Sequence, residues 1–232
     1  MLDPPYNIGK AEWDKVEDYQ GWFLEWNEVF CNDLGQNGAI YVFGWPEILA
    51  GLFDKYPLKD KRLLVWHYDN KNTPNQGSWG RSFELIIYAW KGKPIFNKDA
   101  GRTPYKLSSF EREKYGLNVG WGGGKGRSFD LHPLGAQPRD VLVYPALAAG
   151  RGQVERVDHP TQKPLDLIET LVGVSSNKGD LIFDGFAGSG TTIAACQKLE
   201  RRCRAIEISP SYTAVIIQRW VDATGGEPVL VG

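Results

Sequence analysis

Two short stretches, far apart in the chain, carry the residue types that could do chemistry on a bound ligand. The first, Asp3-Pro4-Pro5-Tyr6, places a carboxylate, a backbone carbonyl and an aromatic ring within four residues. Because consecutive prolines hold the backbone extended and remove an N–H donor, these groups are presented in a rigid loop. Two acceptors and a ring face suit a planar heterocycle that carries an amino group. A stiff proline turn without chemistry is the alternative for this stretch alone.

The second stretch covers residues 181–192, where an apolar run stops at Asp184 and three glycines follow within six residues. This order predicts a strand, a tight turn and a helix. Glycines let backbone N–H groups approach a ligand, and the helix start adds unpaired donors and the positive end of a dipole. A second predicted strand, 204–208, places Glu207 22 residues after Gly185. Nucleotide-binding βαβ units hold a ribose with a carboxylate at about this spacing. An ordinary glycine-rich turn is the alternative.

The glycine spacing narrows the choice of ligand. Gly185, Gly188 and Gly190 spell G-x-x-G-x-G, which differs from the dinucleotide pattern, and no lysine follows as a phosphate-binding loop requires. A ligand with a ribose but no pyrophosphate fits better. S-adenosylmethionine is such a ligand, with Glu207 at the ribose hydroxyls and the turn after Asp184 around the methionine end.

The elements between these stretches must position them, and their patterns alternate between helix and strand. Apolar spacing predicts helices over 19–30 and 46–56, from 164 and from 209, and β-rich runs predict strands over 39–44, 62–66 and 83–90. This alternation favours a parallel sheet with right-handed crossovers. A chain of 232 residues suffices for one α/β domain.

Composition excludes several classes of protein. Hydrophobic residues make up 42% and charged residues 24%, which is typical of a globular chain. No apolar run reaches the roughly 20 residues of a membrane span, and no signal-peptide pattern is present, so we expect a soluble, cytoplasmic protein. The three cysteines and three histidines are scattered, which predicts neither a disulfide framework nor a metal site.

The central part of the chain is basic although the net charge is only -1. Residues 91–127 hold nine basic and three acidic side chains, which is 9 minus 3, or +6. Aromatic residues are interleaved with these charges, and the combination suits nucleic acid through phosphate contacts and base stacking. A solvated surface insertion is the alternative. The candidate DNA-binding residues are Lys91, Lys93, Arg102, Lys106, Lys125 and Arg127.

Taken in order, D-P-P-Y, H-P-T-Q-K-P and D-G-F-A-G-S-G-T-T, followed by a strand ending in glutamate, resemble the amino-group DNA methyltransferases of the prokaryotic β class. The resemblance extends from Asp3 to about Trp220. It implies an α/β, Rossmann-like S-adenosylmethionine-dependent methyltransferase fold with a mostly parallel seven-stranded sheet and helices on both faces. It also implies a single domain over 1–232 with a target-recognition insertion at about 91–158.

The resemblance assigns roles to individual residues. Asp3 and the Pro4 carbonyl would accept hydrogen bonds from the target amino group, and Tyr6, held by Pro5, would stack on the flipped-out base. Methyl transfer would then be direct, without a cysteine nucleophile, unlike methylation at cytosine carbon 5. The implied cofactor-binding residues are Asp184, Gly185, Phe186, Gly188, Ser189, Gly190, Thr191, Thr192, Glu207, His159, Thr161 and Lys163.

The activity implied is transfer of a methyl group from S-adenosylmethionine to double-stranded DNA, without a metal, leaving S-adenosylhomocysteine. Adenine N6 is favoured because D-P-P-Y is more typical of adenine enzymes; cytosine N4, RNA and protein glutamine are alternatives. Only Met1 and Leu2 precede the D-P-P-Y loop, which normally leaves a central strand. Either a remnant forms that strand, or the protein is a truncated member that binds cofactor or DNA without turnover. A homodimer or partner subunit, in a prokaryotic or phage-encoded setting, is also left open.

Overall fold

A computed structural model describes residues 1–9, 14–70, 77, 79–105, 132–147, 157 and 161–231. Four predicted site residues lie outside these ranges: Lys106, Lys125, Arg127 and His159. Most of the predicted target-recognition insertion lies outside them as well. No helix in the described ranges is long and apolar enough to cross a membrane.

The helices and strands of the described chain lie close to the predicted ranges. The strands are β1 (Ala39–Gly44), β2 (Lys61–His67), β3 (Phe83–Trp90), β4 (Val141–Val143), β5 (Leu181–Asp184) and β6 (Arg202–Ala205). The helices are α1 (Tyr19–Asp33), α2 (Pro46–Phe53), α3 (Leu165–Ser175), α4 (Thr191–Lys198) and α5 (Pro210–Thr224). In the order of described elements, β2, β3 and β4 follow one another without an α-helix between them. The last helix starts at Pro210 and stops at Gly225 in the left-handed conformation, as its sequence predicts.

The strands form two sheets rather than the expected single sheet of seven. The larger has the order β1-β3-β2-β4, and the smaller pairs β5 with β6 in parallel. The expectation of a parallel sheet is not met here, because β3 runs antiparallel to both of its neighbours, β1 and β2. The prediction of an α/β fold is confirmed, whereas a seven-stranded sheet is not formed in the described ranges.

Met1 and Leu2 lie between the two sheets and form hydrogen bonds to both of them. Leu2 forms an isolated parallel bridge to Val42, with hydrogen bonds of 2.9 Å to Tyr41 and from Phe43. Met1 donates to the Phe183 carbonyl in β5 at 2.7 Å. A single bridge is too short to count as a strand, so the ladder between β1 and β5 is interrupted at Leu2.

Helices cover both faces of the larger sheet. Because successive strand side chains point to opposite faces, Ile86 packs with α3 and α4, and Ile87 with α1 and α2. On β1, Phe43 lies on the face covered by α3 and α4, and Val42 lies on the face covered by α1 and α2. This packing on both faces holds the end of β1 against the loop that carries Asp3.

Candidate active site

The two chemically interesting stretches meet in one cavity of about 630 Å³. It opens where β1 and β5 end, the edge at which α/β sheets bind their ligands. Most of the predicted site residues within the described ranges line it: Asp3, Pro4, Pro5, Tyr6, Thr161, Lys163, Asp184, Gly185, Phe186, Gly188, Ser189, Thr191, Thr192 and Glu207. Gly190 shapes the same loop without lining the cavity.

The loop after β5 depends on its glycines. Gly188 and Gly190 have φ of 52° and 75°, the left-handed region that favours glycine. A Cβ on Gly190 would also lie 3.0 Å from the Ile216 side chain. The turn therefore brings the start of α4 to the cavity, where Thr191 and Thr192 line it, and the first N–H groups of a helix have no partner within the helix.

Asp184, at the end of β5, fixes the start of this loop. It is 4% exposed, and its Oδ1 accepts from the Phe186 N–H at 3.0 Å. Burial raises the pKa of the Asp184 carboxyl, while hydrogen bonds from Thr192 and Phe186 oppose that shift. Its role in the geometry is to fix the turn, because its oxygens are directed to the protein's own donors.

Glu207 lies at the far side of the loop, two residues beyond the end of β6. The strand was predicted to continue to 208, but pairing with β5 stops at Ala205. The Glu207 carboxylate accepts from the N–H of Gly188 at 2.7 Å and of Ser209 at 2.9 Å. A carboxylate has about four acceptor sites, so two remain for ligand hydroxyls.

The loop that carries Asp3 and Tyr6 is braced by side chains from further along the chain. The Tyr19 hydroxyl donates to the Pro5 carbonyl at 2.8 Å. Asp14 accepts from the N–H groups of Asn7 and Ile8 at 2.7 and 3.0 Å. Within the described ranges no group donates to the Pro4 carbonyl, which leaves this acceptor available in the cavity.

Lys163 is placed beside Asp3, which its assignment to the cofactor did not anticipate. Its Nζ donates to both Asp3 oxygens, at 2.8 and 2.7 Å. The lysine side chain is only 7% exposed, and its Nζ lies 5.1 Å from the centre of the Tyr6 ring and 5.4 Å from the centre of the Phe43 ring. Its carbonyl accepts from the Thr191 hydroxyl at 3.4 Å, so this residue links the two ends of the cavity.

Glu84 is the residue that sequence reasoning missed. It lies in β3, 7% exposed, and its Oε2 accepts from the Tyr6 hydroxyl at 3.0 Å and lies 3.9 Å from Lys163 Nζ. The Tyr6 hydroxyl also donates to Asp3 at 3.0 Å. Burial, followed by the charges of Asp3 and Glu84, raises the pKa of Tyr6 well above its ordinary value. A lone acid inside an otherwise apolar strand was the signal available.

Of the residues predicted to bind DNA, the three within the described ranges, Lys91, Lys93 and Arg102, do not line the cavity. Lys91 and Lys93 follow Trp90, which pairs with Ala39 at the start of β1, whereas the cavity lies at the other end of that strand. The Lys91 side chain donates to two backbone carbonyls at 3.1 and 3.2 Å. Arg102 is engaged by a carboxylate three residues earlier, at 2.6 Å. In this structure the Lys91 and Arg102 side chains are thus occupied by protein groups.

The fold and the cavity together define a protein of the methyltransferase class, and comparison with known proteins agrees. The structure aligns with the crystal structure of an M1.HpyAVI–SAM complex at a TM-score of 0.60 and 24% identity, covering 94% of this chain and 86% of that one. Such a similarity establishes the shared fold.

Sequence relatives give the family. The profile of the N6/N4 DNA methylases matches residues 1–218. The chain is 41% identical over 242 residues to the type II methyltransferase M2.DpnII of Streptococcus pneumoniae, covering 94% of this chain and 80% of that protein. It is 30% identical over 230 residues to the DNA adenine methyltransferase YhdJ of Escherichia coli, covering 94% and 74%.

The chain belongs to the N6/N4 DNA methylase family. The predicted S-adenosylmethionine-dependent DNA amino-methyltransferase activity is confirmed at the level of that family. The family covers both adenine and cytosine targets, so it leaves the choice of base open.

Proposed function

We propose that this protein transfers the methyl group of S-adenosylmethionine to N6 of a flipped-out adenine in double-stranded DNA. The observation that carries the proposal is the shared cavity: Asp3, the Pro4 carbonyl and Tyr6 face the same space as the glycine loop 184–192. A volume of about 630 Å³ accommodates a cofactor together with one base.

The cofactor would occupy the glycine-loop end of the cavity. Glu207 would accept the ribose hydroxyls with the acceptor sites that its two backbone donors leave free. The N-terminal N–H groups of α4 and the loop 184–192 would hold the methionine end. Thr161 and Lys163 line the boundary between this end and the Asp3 end, and His159 would extend the same segment.

The base would enter at the Asp3 end. Its amino group would donate one N–H to Asp3 and one to the Pro4 carbonyl, which turns the nitrogen lone pair toward the cofactor methyl. The new N–C bond forms as the S–CH₃ bond breaks, and that electron pair stays on sulfur as a neutral thioether. The cationic nitrogen then loses one proton, and Asp3 is the nearest acceptor. Tyr6 would stack on the base.

Adenine is our first choice of target for two reasons. The D-P-P-Y form of the loop is more typical of adenine enzymes, and a 30% identical relative is a DNA adenine methyltransferase. N4 of cytosine is the second candidate, because it presents the same pair of N–H donors to the same acceptors and the family includes such enzymes.

Nucleoside analysis tests the proposal directly. Unmethylated phage DNA is incubated with the protein and methyl-labelled S-adenosylmethionine, digested, and separated into nucleosides. We expect label in N6-methyl-2′-deoxyadenosine. Label in N4-methylcytosine would replace the first choice by the second, and no label in DNA, from a preparation that binds cofactor, would reject both. RNA and protein acceptors in parallel reactions exclude the other substrates considered from the sequence.

We further propose the arrangement around this centre. Residues 1–232 would form one domain, with 91–158 supplying target recognition and Lys106, Lys125 and Arg127 contacting phosphates. Leu2 would belong to a strand that lies between β1 and β5 and joins the two sheets. The protein would act in the cytoplasm of its host, alone, as a homodimer or with a partner subunit. The molar mass from light scattering of the protein, with and without a DNA duplex, would distinguish a monomer from a homodimer.

A further inference from the structure

The carboxylate proposed to hold the target amino group is already occupied. Asp3 accepts two hydrogen bonds from Lys163 Nζ, at 2.8 and 2.7 Å, and a third from the Tyr6 hydroxyl at 3.0 Å. A carboxylate offers about four acceptor sites in fixed directions. Three of these sites are taken, so at most one is left for an incoming amino group, and the ammonium that contacts both oxygens is the donor whose departure would open the carboxylate to it.

Lys163 cannot be released into water without a large movement. Its side chain is 7% exposed and enclosed by the rings of Tyr6 and Phe43. A buried ammonium needs a counter-charge, because desolvation without a partner is costly. If the lysine gives up Asp3, another buried acceptor must receive it.

Glu84 is placed to be that acceptor. Its Oε2 lies 3.9 Å from Lys163 Nζ, just beyond hydrogen-bond length, and its side chain is 9% exposed. A small rotation of the flexible lysine side chain closes this gap. Trp66 and Glu84 are opposed across the β2–β3 ladder, so the strand fixes the Glu84 backbone while the lysine moves.

Tyr6 couples the two carboxylates. Its hydroxyl lies 3.0 Å from Asp3 and 3.0 Å from Glu84, but one proton can be donated fully to only one of them. The hydroxyl keeps its proton, because burial and the two neighbouring charges raise its pKa. When Lys163 pairs with Glu84, the Tyr6 hydroxyl can donate to Asp3. The Tyr6 ring keeps its position in both arrangements.

We propose that Glu84 is a positioning residue of the transfer reaction, which receives the Lys163 ammonium when the target amino group binds Asp3. Lys163 thus acts as a latch: closed on Asp3 in the empty site, and open on Glu84 when a base is bound. The latch rests on the proposed function, because it requires an amino group as the competing ligand. It keeps a partly buried carboxylate paired until the base arrives.

The test compares Glu84→Gln with the double variant E84Q/K163M at saturating S-adenosylmethionine. Glutamine still accepts from Tyr6 but lacks the charge that draws Lys163 away, so the latch stays closed. We expect kcat/KM for DNA to fall about tenfold or more, with KM for the cofactor within about twofold of wild type. Removing the ammonium in E84Q/K163M is expected to restore at least part of the loss.

Glu200→Gln is the matched control, because this exposed glutamate pairs with Lys178 far from the cavity. An E84Q rate equal to that of E200Q, or a double variant no faster than E84Q, would overturn the latch while leaving the methyltransferase intact. A wild-type protein that transfers no methyl to DNA would overturn the proposed function and the latch together.

Calorimetric binding of the cofactor shows which variants are folded. If E84Q fails that check, Glu84→Asp keeps the charge and withdraws it by one methylene. The same comparison is then made with E84D and E84D/K163M, where the latch predicts a smaller loss that K163M again relieves. A loss that K163M deepens would contradict the proposal.

Discussion

The two ends of the cavity are built in different ways. The glycine-loop end, from Asp184 to Glu207, uses backbone N–H groups and one carboxylate that lie within 24 residues of sequence. The Asp3 end assembles side chains that are far apart along the chain, including Glu84 and Lys163. One end is a local fold motif, whereas the other exists only when three segments of the protein meet.

We expect this difference to separate cofactor binding, at the glycine-loop end, from methyl transfer, at the Asp3 end. A backbone cradle can hold a cofactor whatever the state of the distant charges, since its donors are fixed by the turn. The charged cluster can change its pairing without disturbing the cradle. The following substitutions are chosen to damage one end while sparing the other.

The largest effect is expected from Asp3→Ala. Without the carboxylate the amino group is not oriented, so kcat for methyl transfer should fall about 1,000-fold. Cofactor affinity by calorimetry should stay within a few-fold, because the glycine-loop end is untouched. Asp222→Ala, on the exposed face of α5, is the control for removing one acid. Equal loss of cofactor binding in D3A would show that the two ends are not separable.

Gly190→Ala should damage the opposite end. The added Cβ requires left-handed backbone at φ 75° and meets Ile216 at 3.0 Å. We expect a loss of about 2 kcal/mol in unfolding free energy and weaker cofactor binding. Gly51→Ala is the matched change: a Cβ added to this helical glycine would meet no atom within 4 Å, and the variant should gain about 0.5 kcal/mol. Similar denaturation midpoints for the two variants would refute the explanation.

Tyr6→Phe should have a moderate effect that lies wholly at the Asp3 end. It keeps the stacking ring but removes a hydroxyl that serves the buried Glu84 and the partly buried Asp3, so stability should fall by about 1 kcal/mol. The transfer rate should fall about tenfold with cofactor binding unchanged. Tyr144→Phe removes a hydroxyl bonded to Thr170 and serves as the comparison. Identical kinetics in Y6F and Y144F would remove Tyr6 from the proposed site.

The smallest effect is one of pH. The Tyr6 pKa is raised in the folded protein above the unfolded value of about 10, so the native state holds this proton more tightly. Its contribution to stability is therefore complete below pH of about 10 and is lost as the pH rises toward the folded pKa. Absorbance at 295 nm and circular dichroism should show Tyr6 ionising only with unfolding, and Y6F should lose less stability at alkaline pH. Early ionisation in a folded protein would contradict this.

Much of the fold followed from the sequence because its signals are local. The strand at 83–90, the turn after Asp184 and the glycine stop at 225 all appear where the residue pattern places them. The predicted number of strands in the sheet was wrong, because that number depends on which distant segments pair. Leu2 contributes only a single bridge. The end of β6 was set by pairing with a short β5, not by its own apolar run.

The site divides along the same line. The sequence alone determined that Asp3, Pro4 and Tyr6 stand together and that the glycines of 185–190 form a tight turn before α4, because both depend on backbone conformation within a few residues. Only the tertiary structure decided that Lys163 lies against Asp3 and that Glu84 is the acid beside Tyr6. Their partners are 160 and 78 residues away in the chain. Such contacts come from packing, which no local pattern encodes.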